Sequence, residues 1–139
     1  MAITSIMSTR VVSVHMDDSL QSLRELFSAT GFHHLVVVHD NTLQGIISDR
    51  DLLKASSPFI DTISERARDR ALLERKAHQI MIRDVITLSP TDSIYRAIEL
   101  FNDNKISCLP VVEANRHPVG MVSWRDVMAY MQSRVLSKK

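Results

Sequence analysis

Two stretches hold the side chains best suited to chemistry: Gly45-Ile46-Ile47-Ser48-Asp49-Arg50-Asp51 and Gly120-Met121-Val122-Ser123-Trp124-Arg125-Asp126. Each follows an apolar run and leads into a helical pattern, so each is expected to end a strand and open a helix. The first turn of a helix carries unpaired N–H groups and partial positive charge, which suits a phosphate. Ser48 and Ser123 add a hydroxyl there, and Arg50 and Arg125 add a charge-assisted donor. Asp51 and Asp126, three residues after each serine, lie where a carboxylate can accept both hydroxyls of a ribose. The glycines permit close approach of backbone. A purely structural reading uses the same residues: serine as N-cap, aspartate as a first-turn acid, arginine as surface. Recurrence of four side chains in register favours the ligand reading, because capping alone is not expected to require glycine, arginine and aspartate at fixed places.

The elements that must position these groups occur twice. An offset of 74 carries Ile6-Met7 to Ile80-Met81, Asp18-Ser19 to Asp92-Ser93 and Leu26-Phe27 to Leu100-Phe101, with 11 identities in the 33 positions of 6–38 against 80–112. After one inserted residue the offset becomes 75 and aligns the two glycine-to-aspartate stretches. Val11 to Val14 and Val85 to Leu88 read as short strands, and Asp18-Ser19 and Asp92-Ser93 as helix starts. Leu20, Leu23 and Phe27, and Ile94, Ala97, Ile98 and Phe101, form the apolar stripes of the helices that follow. Leu35 to Val38 and Leu109 to Val112 predict buried strands, each turning through Asp40-Asn41 or Asn115-Arg116 into a return strand, Leu43 to Ile47 or Val119 to Val122. Second helices are expected over Asp49 to Lys54 and Arg125 to Val135. The fold class is therefore α/β, or α+β, with two tandem β-α-β-β-α repeats. The boundaries read as 1–56 for the first repeat, 57–79 for a helical linker and 80–139 for the second. Within the linker, the alternating charges and Ala/Leu content of Ser64 to Ala77 favour a solvated helix with internal ion pairs over a basic patch.

Composition narrows the function classes. With 17 basic and 16 acidic residues in 139, nothing supports a nucleic-acid binder, so a charged ligand must be met locally. A single cysteine, Cys108, excludes an intramolecular disulfide and fits a reducing compartment. The absence of a signal-like or membrane-length apolar run gives a cytoplasmic expectation with no membrane partner. Of the six histidines, His33 and His34 with His15 or His39 form the best candidate metal cluster, but neighbours on a strand point to opposite faces, so no metal is expected. A phosphate contact from His34, or an ordinary polar edge, is the better reading, and Cys108 reads as a small buried hydrophobe. On the last helix Met128 and Met131 join Val127 and Val135, leaving apolar residues on more than one face.

The β-α-β-β-α unit, the paired apolar runs, Leu109-Pro110-Val111-Val112 and the terminal Gly-x-x-Ser-x-x-Asp resemble the cystathionine-β-synthase (CBS) domain, here as a tandem pair, a Bateman module, from about Ile6 to Tyr130. The resemblance implies two repeats related by pseudo-two-fold symmetry, with clefts between them that bind AMP, ADP, ATP or S-adenosylmethionine. Carried over by position, Ser48 and Ser123 meet phosphate, Asp51 and Asp126 meet ribose, and Arg50 and Arg125 meet phosphates of the same or the neighbouring site. The adenine falls to Arg10-Val11-Val12 with His34-Leu35 in the first copy, and to Asp84-Val85-Ile86 with Cys108-Leu109 beside Pro110 in the second. Val36 stands where the second copy has Pro110, so the second site ranks ahead of the first. The resemblance also implies a homodimer. The function it implies is a non-catalytic, ligand-sensing module with no required cofactor, signalling by conformational change to an unidentified protein. The alternatives are an interaction scaffold with empty clefts and a nucleotide-processing enzyme. The enzyme lacks a convincing nucleophile, metal cage or general base.

Overall fold

The computed structural model describes residues 2–137. Two compact units are present: Val12–Val85, and Met1–Val11 together with Ile86–Lys139. In the first, β1 (Ser13–His15), α1 (Leu20–Thr30), β2 (His34–His39), β3 (Thr42–Ser48) and α2 (Asp49–Ala55) precede two short helices, α3 (Ala67–Ala71) and α4 (Ala77–Ile80). The sheet order is β1-β2-β3, parallel between β1 and β2 and antiparallel between β2 and β3. Asp18-Ser19 starts α1 with both side chains: Asp18 Oδ2 accepts from the His15 N–H at 2.9 Å, and Ser19 Oγ from the Ser22 N–H at 3.2 Å. The helix stops at Gly31, whose φ of 71° forms a left-handed cap. Asp40 and Asn41, with φ of 50° and 60°, make the two-residue hairpin turn that suits strand twist. Leu20, Leu23, Phe27, Leu35, Val37 and Ile47 form the core that this arrangement closes.

The second unit holds α5 (Ile94–Asp103), β4 (Cys108–Val112), β5 (Pro118–Ser123) and α6 (Trp124–Ser137). Ser93 caps α5 by accepting from the Arg96 N–H. The strand expected over 85–88 is reduced to one parallel bridge between Leu88 and Val111. Pro110 supplies the reason. In the first unit the Val36 N–H donates to the Val12 carbonyl at 3.1 Å, whereas proline at the equivalent position has no N–H to give. Pairing therefore begins only at Leu88, whose N–H donates to the Pro110 carbonyl at 2.9 Å. The core gathers Ile3, Leu88, Ile94, Ala97, Leu109, Val111, Val122 and Val127.

The expected continuous helix over 64–77 is broken into α3, a 3-10 turn over Leu72–Glu74, and α4. Tertiary demand overrides propensity here: Leu73 is buried in the core, and the extended Arg75 uses its carbonyl to accept from the Leu20 N–H at 2.9 Å. Its charges pair through the fold as well. Arg70 donates to Glu65 and Asp61, while buried Asp69 accepts from Ser57 Oγ at 2.7 Å and the Arg66 N–H at 2.8 Å, which hold its carboxyl below the usual range.

The compact units do not follow the repeat boundaries. Each core is completed by the leading segment of the other repeat. Residues 77–82 close the Val12–Val85 unit, with Ile82 and Ile46 exchanging backbone hydrogen bonds at 2.9 and 3.0 Å. Residues 3–8 close the other unit in the same manner, Ser8 pairing with Met121. A β-carbon on Gly45 would lie 2.6 Å from Met81 Sδ and 2.9 Å from the Ile82 carbonyl oxygen, and one on Gly120 2.5 Å from Met7 Sδ. Gly45→Ala is expected to destabilise the chain by about 1–3 kcal/mol through overpacking. Urea titration of Gly45→Ala, Met81→Ala and the double variant should show the two losses adding to less than their sum, because one contact is shared.

Candidate functional site

Both glycine-to-aspartate stretches fold into the same strand-to-helix junction. Ser48 ends β3 and caps α2: its Oγ accepts from the Asp51 N–H at 3.1 Å, and Asp51 Oδ2 accepts from the Ser48 N–H at 2.9 Å. Ser123 and Asp126 repeat this reciprocal capping box at 3.2 and 2.8 Å. The first N–H of each helix is also committed, Asp49 to the His33 carbonyl at 3.0 Å and Trp124 to the Ser107 carbonyl at 3.2 Å. Serine and aspartate thus have structural work at both junctions, as the capping reading expected, and glycine has separate work in admitting Met81 and Met7.

What capping leaves over is the same in both copies. The N–H groups of Arg50 and Arg125, the second in each helix, have no hydrogen-bond partner among the described residues. The exposed guanidinium groups of these arginines likewise have no ion pair among the described residues. Asp51 and Asp126 each commit only Oδ2. The junction can therefore present a backbone donor, a serine hydroxyl, a guanidinium and one carboxylate oxygen.

His34 lies opposite Ser48 in the β2·β3 ladder, and Cys108 lies opposite Ser123 in β4·β5. Both side chains are therefore next to the caps. Burial holds the His34 imidazole below its usual pKa, with Asp49 and Asp51 opposing and His33 assisting. Burial, then the Asp126 charge, pushes the Cys108 thiol up to about 12. Leu35 and Leu109 are wholly buried, so as walls for an adenine they offer main-chain atoms and not side chains. Pro110 is buried, and Val12, Val85 and Ile86 are half-buried. Val85 ends one compact unit and Ile86 begins the other, so the sequence set Val85, Ile86, Cys108, Leu109 and Pro110 is divided between them.

His33 Nδ1 pairs with Asp49 Oδ2 at 2.8 Å, and no group of three potential metal ligands occurs among the described residues. Sequence reasoning missed that pairing, which the 16-residue separation hides. Two surface concavities, about 600 and 450 Å³, lie in the Val12–Val85 unit among residues of α1 and the 59–76 segment, and contain none of the junction residues. No helix among the described residues is long and apolar enough to cross a membrane. Because its thiolate is scarce, Cys108 in the native chain at pH 8 should react with an aromatic disulfide on the order of a hundredfold more slowly than in urea, measured by thiolate release.

Comparison with known proteins places this architecture. The CBS domain family matches residues 3–58 and again 77–133. A CBS domain-containing protein of Dictyostelium discoideum is 29% identical over 128 residues, covering 91% of this chain and 88% of its own. A homoserine O-acetyltransferase of Methanocorpusculum labreanum is 30% identical over 124 residues, but the match spans only 23% of that longer protein. Among solved structures, the CBS domain pair of protein MJ0100, in complex with 5′-methylthioadenosine and S-adenosyl-L-methionine, superposes with a TM-score of 0.79 at 23% identity, covering 96% of this chain and 98% of that one. CBSX2 in complex with AMP gives a TM-score of 0.77 at 23% identity, with the same two coverages. Two domain matches in one chain, on two repeats of one folding pattern, make this chain a member of the CBS domain family and a tandem CBS pair.

Proposed function

We propose that this chain is a non-catalytic sensor of an adenosyl ligand, bound at the strand-to-helix junctions, whose occupancy is relayed to a partner protein as a conformational change. The observation that carries the reading is the duplicate remainder left by capping: among the described residues, one N–H, one guanidinium and one carboxylate oxygen are uncommitted at each junction. Ser48 with Arg50 and Ser123 with Arg125 receive phosphate, and the free oxygens of Asp51 and Asp126 receive ribose hydroxyls. Proteins of the same fold bound to S-adenosylmethionine, 5′-methylthioadenosine and AMP support the ligand class. Half-buried Ile86 has no hydrogen bond on its N–H or carbonyl among the described residues, the carbonyl because Pro110 has no N–H to give it, and these groups can meet an adenine edge. Ligand coupling of this kind is typically about 1–3 kcal/mol.

Homodimerisation belongs to the same proposal. Trp124, Met128, Met131 and Val135 recur along α6 at i, i+4, i+7 and i+11 and are all exposed, while Val127, at the edge of this stripe, is buried. Two copies of this stripe would cover one another. Light scattering should give a dimer that Met128→Glu converts to a monomer without loss of the folded circular-dichroism spectrum.

Calorimetry with AMP, ATP and S-adenosylmethionine should give saturable binding of at least one. Arg50→Ala with Arg125→Ala should weaken a phosphate-bearing ligand by about tenfold or more and leave the urea midpoint unchanged, since neither side chain holds the fold together. Absence of binding by all three compounds would favour the scaffold, and turnover of ATP would overturn the non-catalytic reading.

A further inference from the structure

The junctions differ most at the side chain facing the cap. His34 and Cys108 are equivalent by the 74-residue offset, and each is cross-strand partner to its cap serine. Residues directly opposed in an antiparallel pair project to the same face of the sheet with β-carbons about 4.5–5.5 Å apart. The charged and titratable groups around His34 are Asp49 and Asp51 on α2 and His33 before β2. Asp49 is held by His33, and Asp51 commits one oxygen to the Ser48 N–H. Burial outweighs the two carboxylates, so the imidazole is neutral at pH 7. The buried Cys108 thiol is also neutral, and it stays so across the physiological range.

We propose that His34 makes the first junction selective for phosphate-bearing adenosyl ligands by taking up a proton as they bind, whereas Cys108 leaves the second junction indifferent to phosphate charge at that position. The proposal rests on the ligand-sensing reading above. A phosphoryl group held by Ser48 and Arg50 adds an anion to the two carboxylates and tips the balance at His34 toward imidazolium. A higher pKa in the bound than in the free state means that affinity rises as pH falls between the two values, by no more than about tenfold per pH unit for one proton. An uncharged adenosyl thioether offers no anion, so its affinity stays level. The two junctions thus share their phosphate donors and differ in whether affinity for a phosphate depends on pH.

The test follows AMP and 5′-methylthioadenosine at pH 8 and pH 6.5, above the point near pH 6 at which a phosphate monoester takes up its own proton. Backbone amide shifts of residues 48–51 report the first junction. Trp124, the only tryptophan of the chain, reports the second by its fluorescence. AMP affinity at the first junction should rise about three- to tenfold on going to pH 6.5, with no comparable rise at Trp124 and none for the thioether at either junction. The His34 ring-proton titration should move to higher pH in the presence of AMP, and His34→Gln should bind AMP at pH 8 but lose the rise. Persistence of the rise in His34→Gln, or a His34 titration that AMP does not move, overturns the proposal while the sensing reading stands. No binding of either compound at either pH overturns both.

Discussion

At Gly45 and Gly120 the lack of a β-carbon lets a methionine and the following backbone lie directly against a return strand, and the rest of the structure depends on that approach. Met81 and Ile82 come from the lead-in of the second repeat and Met7 and Ser8 from that of the first, so each hydrophobic core is closed by a segment belonging in sequence to the other copy. The strand held by this contact runs, three residues later, into the cap serine. Packing at the glycine therefore sets where the helix begins, and with it where the arginine and aspartate of the first turn stand.

The junction chemistry is layered on folding chemistry. Serine and aspartate satisfy two orphan N–H groups of the helix start, worth on the order of 1 kcal/mol per cap. Only what remains can serve a ligand. Substitutions at Ser48, Asp51, Ser123 or Asp126 would therefore report on stability and on the proposed recognition together, whereas the side chains of Arg50 and Arg125 have no ion pair among the described residues. The capping reading holds at the atoms it uses, and the proposed ligand-binding reading concerns other atoms of the same residues.

Much of this was legible in the residues. The apolar stripe of α1, the Asp18-Ser19 start and the Asp40-Asn41 turn are local signals that the fold respects. The repeat offset placed both junctions in register. Three features were not legible, each because the deciding partner is distant in sequence. The charged 64–77 segment has helical composition, but the burial of Leu73 and the carbonyl of Arg75 serving α1 break it into pieces. The lost strand at 85–88 follows from an N–H that Pro110 lacks, 22 residues or more away. Ile6-Met7 and Ile80-Met81 announced the repeat but not that each would pack on the opposite copy.

That exchange of lead-in segments means the chain cannot be divided at the boundary between its sequence repeats without opening a core. A chain consisting of a single repeat would retain its lead-in but have no use for it in its own core, and the gap beside its glycine would stay open. Two such chains could each supply the missing strip to the other. The tandem arrangement is in this sense a self-completing pair written into one polypeptide, which keeps each lead-in at high local concentration beside the repeat it closes.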